Sequence, residues 1–326
     1  MQYGRSKSFN LPKQRPQVLV IGNGLCYGSS VAWHDLITGV AREGADPARY
    51  DNDEKTGFHL PNTVMTLATS IVEDSARHSR YVEILDRKAY APNAKLQALL
   101  SMPFDAVLTT NYSYEAEAEL YGKYPGLSRG GKLRYAASAV EEKDHRYLLH
   151  TFNRLKPGAP DVWHIHGELR CPSSIVLSHD EYARLIHDII AHNRQRADDY
   201  RRYEQDLSFT SWVDYFLMGD VSILGLTMDF AEFDLWWLLG RRLREKGGCG
   251  KCVFYEPEKK GSFYKQAALR DAGVCVKTCG VNIDAGGSYE EFYQRAIDEI
   301  RAGFPRPAPR SGRIPGGPRP LFPHPL

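Results

Sequence analysis

Three short polar stretches hold residue types that can do chemistry. The first is Gly22-Asn23-Gly24-Leu25. Its glycines remove side chains that would keep a phosphate away from backbone N–H groups, although a tight strand-to-helix turn without a ligand explains them equally well. The second is Thr109-Thr110-Asn111-Tyr112-Ser113. The Asn111 side chain offers a donor and an acceptor together, which suits an amide or a sugar hydroxyl. Read alone, this segment favours a helix cap. The third is Trp163-His164-Ile165-His166-Gly167-Glu168. On a strand, His164 and His166 point to one face, and an imidazole at a strand end can serve as a general base near neutral pH. A paired metal site is conceivable, but the sequence offers no third ligand. A structural histidine is the simpler reading of this segment alone.

These stretches become one site only if the intervening elements bring them together. Gln17-Val-Leu-Val-Ile-Gly22 is a short apolar run of β-branched character, so it reads as a buried strand. The glycine turn follows it, and a helix is expected over Val31 to Ala41. Phe104 to Thr109 and Asp161 to His166 read as two further strands, with Ser174 to Leu177 close behind. Asp220 to Gly225, Lys251 to Tyr255 and 273–277 complete the set. Helices are expected over Ala91 to Leu100, Glu115 to Leu120, within 179–217, and over Glu232 to Leu243, 262–271 and 288–301. Strands alternating with helices predict an α/β fold with a doubly wound, mostly parallel, Rossmann-like sheet carrying helical insertions near 44–103 and 179–217. In such sheets ligands bind beyond the carboxyl ends of the strands, where all three polar stretches fall.

Composition bounds the function. The chain has 326 residues, 42% hydrophobic and 25% charged, ordinary values for a packed protein. Residues 1–16 form a basic arm with four cationic residues and no acid. Residues 303–326 carry four arginines, no acid and eight prolines, the composition of a disordered or docking tail. The net charge of +2 therefore hides an acidic body over 17–302, which argues against a nucleic-acid groove in the core. No apolar run is long enough to span a bilayer, and the basic arm lacks the apolar stretch of a signal peptide. The expected location is cytoplasmic.

Other features have plain explanations. Cys249, Cys252, Cys275 and Cys279 superficially resemble zinc spacing, yet Cys252 and Cys275 sit in apolar runs and read as buried thiols. No metal is expected. Asp229, Glu232 and Asp234 lie in or near the first turn of a helix, where acids suit the dipole. Trp236 and Trp237 read as core or interface, and Ser178-His179-Asp180-Glu181 as a capped helix start.

In order along the chain, Gly22-Asn-Gly-Leu25, Thr109-Thr-Asn-Tyr-Ser113, His166-Gly167 and Ile223-Leu-Gly-Leu-Thr227 resemble the bacterial sirtuin-like family. More narrowly, the set is similar to its NAD-hydrolysing antiphage-defence branch, and the first and third motifs also resemble the AbiH abortive-infection proteins. The resemblance spans roughly residues 17–280. It implies that NAD is the substrate, with Gly22, Asn23, Gly24 and Leu25 on the pyrophosphate. It further implies Asn111 beside the nicotinamide ribose with Thr110 and Ser113 around it, His166 as catalytic base, and Gly225 with Thr227 toward the adenosine half. A homo-oligomer and an activating partner are implied as well. The sequence also departs from the family's pattern. No Asp-Phe-Arg segment follows the first turn, and no four-cysteine zinc module follows His166, which points away from deacylation and toward plain NAD hydrolysis. Ser113 stands where the family often has an acid. The alternative is a module that senses NAD or ADP-ribose without chemistry, with deacylation or ADP-ribosylation behind it.

Overall fold

The computed structural model describes residues 15–26, 91–121, 147–153, 158–169, 171–202, 209–228, 232–245 and 249–304, with Leu36, Gly39, Thr66 and Glu83 besides. Within these, the order is β1 (Gln17–Ile21), α1 (Ala94–Leu100), β2 (Ala106–Thr109), α2 (Glu115–Tyr121), α3 (Tyr147–His150) and β3 (Asp161–His164). A 3-10 turn, Pro172–Ser174, comes next. The chain continues with α4 (His179–Arg202), α5 (Trp212–Met218), β4 (Asp220–Leu224), α6 (Phe233–Arg244), β5 (Cys252–Tyr255), α7 (Ser262–Asp271), β6 (Cys275–Lys277) and α8 (Tyr289–Gly303).

All six strands are parallel, in the order β3-β2-β1-β4-β5-β6. The apolar runs demand this arrangement. Along β1, Val18 and Val20 enter one core with residues of α4, α5, α6 and α7. Leu19 and Ile21 enter the other, built with α1, α2 and α8. Every side chain from Val18 to Ile21 is at most 1% exposed, and each such burial is worth about 1.5–3 kcal/mol. The sheet is thus covered on both faces, as the doubly wound reading expected.

Local signals set the helix starts. Asn93 accepts from Lys95 N and Leu96 N at the head of α1. Ser211 and Asp214 form a reciprocal capping box on α5, and Ser288 caps α8. The region 179–217 resolves into α4 and α5, and both pack into the first core. Asp214 joins them. It accepts from His192 Nε2 at 2.9 Å, from Tyr200 and from Thr210 N at 2.8 Å. Burial works against ionisation of Asp214, but these bonds hold its pKa below the usual carboxylate value.

Two expectations need correction. The third strand ends at His164 rather than His166, and Ser174 to Leu177 form no strand. Gly167 is the cause, because it turns the chain with φ +95°. A Cβ there would stand 2.2 Å from Ser174 O, so only glycine lets the returning segment lie this close. That segment makes a 3-10 turn and then donates Val176 N to His166 O at 2.9 Å. The basic arm up to residue 14, the tail from 305, most of the insertion near 44–103 and all but Leu36 and Gly39 of the helix expected over Val31 to Ala41 lie outside the described residues.

Candidate active site at the carboxyl edge

Strand order reverses between β1 and β4, and such a switch point opens a crevice above the strand ends. The β1 and β4 turns meet there. Gly24 N donates to Gly225 O at 2.9 Å. A Cβ on Gly22 would lie 2.7 Å from Gly225 O, and one on Gly24 at 2.8 Å from the same oxygen. Gly225 itself has φ +76°, and its Cβ would meet Leu25 N at 2.6 Å. The glycines are therefore required by turn-on-turn packing before any ligand is considered. Beside them opens a cavity of about 510 Å³, lined among others by Gly24, Leu25, Gly225, Thr227, Tyr255 and Tyr293. This volume suits part of a dinucleotide. Gly22 is buried beneath the turns and Asn23 is half-buried, its carbonyl accepting Cys26 N.

The second polar stretch lies on the β2 side. Thr110 N extends the ladder to Ile21 O at 3.1 Å, and Ile165 N extends the β2–β3 ladder to Thr109 O at 2.9 Å. Thr109 and His164 are in register, so Asn111 and His166 each lie two residues beyond one paired position. Both therefore emerge at the carboxyl edge of adjacent strands, but into different surroundings. Their side chains make no hydrogen bond with each other, and neither lines the cavity. The Asn111 amide lies beside the buried Cys26 thiol, and its Nδ2 has no hydrogen-bond acceptor among the described residues.

His164 holds the Asn111 backbone. Its Nδ1–H donates to Asn111 O at 2.7 Å and its Nε2–H to Glu117 Oε1 at 2.9 Å. Glu117 in turn accepts from Asn153 Nδ2 at 2.7 Å. Burial opposes the imidazolium, but the Glu117 charge and hydrogen bond outweigh it and carry the pKa up to about 9. With both nitrogens donating, His164 is a structural cation, so the two histidines do not form a metal pair.

Ser113 donates to Glu115 Oε1 at 2.5 Å. Glu115 is buried and its pKa is raised, chiefly by that burial. The Cys26 thiol, between Glu115 and Asn111, is pushed well up by burial and then by the Glu115 charge. An acid thus stands behind Ser113, two residues further along.

His166 belongs to a different neighbourhood. It is 3% exposed, and its Nε2 donates to Asp234 Oδ2 at 3.0 Å, with Glu232 Oε2 at 3.8 Å. The Tyr182 ring meets its edge at 5.4 Å. Burial again disfavours the charged ring, yet Asp234 and then Glu232 raise the pKa above the ordinary histidine value. These three donor atoms fall within 4.8 Å of one another, the one such group among the described residues. They could hold a small cation as readily as a shared proton. Glu232 and Asp234 carry no helix-capping hydrogen bond, since the N-cap Glu232 makes none and Asp234 Oδ2 faces His166. A helix-dipole role alone does not account for this contact, whose one sequence signal is an acid in the first turn of the helix that follows a core strand. Asp229 lies outside the described residues.

The late cysteines do not converge. Cys252 is buried, Cys275 is exposed, Cys249 points to Arg242 O, and Cys279 points to Glu299. Trp236 and Trp237 pack at the margin of the first core. At the start of α4, Glu181 Oε2 accepts from Leu177 N and Ser178 N, both at 2.7 Å.

Residues 105–245 match the family of the SIR2-like domain. The matched stretch runs from just before β2 to the end of α6 and contains Asn111, His166, Gly225, Thr227 and Asp234, but not the Gly22–Leu25 turn. It supports a sirtuin-like family and, with it, a role in binding or processing NAD. No curated protein matches the chain. Among the described residues no helix is long and apolar enough to cross a membrane.

Proposed function

We propose that this protein cleaves the nicotinamide–ribose bond of NAD, releasing nicotinamide and ADP-ribose or its cyclic form. The reading rests on one juxtaposition. Asn111 and His166 each lie two residues past the ends of adjacent strands of a parallel sheet whose switch-point crevice is lined by Gly24, Gly225 and Thr227. The SIR2-like match over residues 105–245 supports the same assignment.

Nicotinamide leaves as a neutral molecule from a cationic glycoside, so the protein need not protonate it. Its task is to hold the ribose and stabilise the oxocarbenium-like centre as the bond breaks. Asn111, its backbone held by His164, would orient the ribose or the attacking water. His166 would take a proton from a ribose hydroxyl or from that water. The two turns would carry the pyrophosphate and adenosine half, with Gly22, Asn23 and Leu25 shaping the grip and Thr110 and Ser113 flanking the nicotinamide. An NAD-depleting effector of antiphage defence, cytoplasmic, homo-oligomeric and switched on by an activating partner, is the biological setting that fits such chemistry.

A sensing module is the second reading. It draws support from Ser113, whose hydroxyl is turned onto Glu115. Chromatography of NAD incubated with the purified protein decides between them. Nicotinamide release that disappears in His166→Ala supports hydrolysis. Tight ADP-ribose binding with no release at any protein concentration would favour sensing.

A further inference from the structure

We infer that Asp234 is the positioning residue for His166. It fixes the ring proton on Nε2 and leaves Nδ1 as the atom that accepts a proton during turnover. The inference rests on the hydrolase reading for its catalytic consequence, but not for the proton's place.

Two buried aspartates show why. Asp214 and Asp234 are both 0% exposed. Asp214 collects His192, Tyr200 and the backbone N–H groups of Thr210 and Ser211, as a carboxylate buried for structural reasons must. Asp234 accepts from His166 through Oδ2 at 3.0 Å. Its Oδ1 has no hydrogen-bond donor among the described residues, and it caps nothing on α6. Burying an acid so sparsely satisfied costs stability, and a packed apolar residue would serve the fold better. What the fold retains is a carboxylate in line with one imidazole nitrogen of a histidine 68 residues away. A carboxylate can only accept, so the proton at this contact belongs to Nε2. The neutral ring must then offer its lone pair at Nδ1, as a base oriented by a third group does. Glu232, at 3.8 Å and only half-buried, adds charge without fixing the ring.

The full-length protein labelled with 15N-histidine tests the proton's place directly. At a pH above the raised pKa of His166, wild type should show the neutral ring with Nε2 protonated and Nδ1 bare. In Asp234→Asn, whose amide can donate as well as accept, the ring signals should move toward the other tautomer. An unchanged His166 spectrum in that variant overturns the inference. The kinetic arm expects kcat for nicotinamide release to fall about 100-fold or more, with KM within about threefold, because the general base is misoriented. Melting temperature should hold or rise, since a sparsely satisfied buried charge is gone. A rate matching wild type, or a kcat loss that merely follows unfolding, overturns the positioning role. Chelator should leave both rate and spectrum unchanged. A chelator-sensitive rate restored by Zn2+ or Mn2+ would make the group a cation site and refute the dyad. If wild type releases no nicotinamide at all, the hydrolase reading fails, and the spectra still decide where the proton lies.

Discussion

The two halves of the carboxyl edge are built in opposite ways. Above β1, β4 and β5, glycine backbone, aromatic rings and the charged Lys95, Glu256, Lys259 and Glu290 line a cavity of about 510 Å³. Above β2 and β3 the space is filled by buried imidazoles, carboxylates and an amide. The open half has room, with charged side chains in its wall, whereas the charges of the filled half are buried against one another with little space left. On the proposed reading, recognition and chemistry would be divided between neighbouring strands of one sheet. A dinucleotide is long enough to lie across both, which is the arrangement expected where bond cleavage is separated from the grip on the rest of the substrate.

The comparison breaks most sharply at His166. Replacing it by alanine should reduce nicotinamide release by about 100-fold or more while the far-ultraviolet dichroism of the fold remains. If turnover survives in a folded protein, the chemistry does not belong to the filled half. His164→Ala, two residues away, should act through stability instead. It strips the partner from Glu117 and the clasp from Asn111, and breaking a buried pair costs about 3–5 kcal/mol in a denaturant titration. A folded, stable, inactive His164→Ala protein would reverse the roles assigned to the two histidines.

The open half should fail differently. Gly225→Ala places a Cβ against Leu25 N in a backbone with φ +76°, a strain of about 1–3 kcal/mol. Its expected signature is weaker ADP-ribose binding by calorimetry, together with a lowered melting temperature. A variant that binds normally would show that the two turns do not shape the grip.

Protonation sharpens the contrast further. The folded-state pKa of His164 is raised from 6.5 to about 9. Its contribution is therefore fully present below the unfolded value and lost as pH rises through the folded one. Stability should decline between roughly pH 6.5 and 9, and His164→Gln should flatten that slope. The smallest effect belongs to the far edge of the sheet. The surface pair Lys277–Glu299 is 2.9 Å long and over a third exposed on both sides. Lys277→Gln should shift stability by no more than about 0.5 kcal/mol, read as a small change in urea midpoint.

Much of this was legible in the sequence, for identifiable reasons. Parallel strands covered on both faces need unbroken apolar runs, and Val18 to Ile21 is such a run, so the α/β class followed. Asn111 and His166 each close a strand-like segment, but alone they read as a cap and a structural histidine; the ordered resemblance to the sirtuin-like family is what singles them out. The rest was hidden by distance along the chain. Nothing local says that β1 lies beside β4, so Gly22 and Gly24 read as a tight or phosphate-binding turn, and Gly225 as a separate turn toward the adenosine half, rather than as surfaces shaped for each other. Asp234 looked like an ordinary acid of a first helical turn, since its histidine is 68 residues away. Gly167 is a local signal of a different kind: a glycine after a histidine near a strand end marks the turn that stops β3 short.

The Gly24–Gly225 contact has a mechanical meaning beyond its chemistry. A backbone N–H already engaged by the opposite turn cannot swing toward a ligand unless its partner yields too. The two turns are geared like meshed teeth, so a displacement imposed on the strand leading into one is transmitted to the other. A ligand seated against the β4 turn would therefore press on the same contact that fixes the β1 turn.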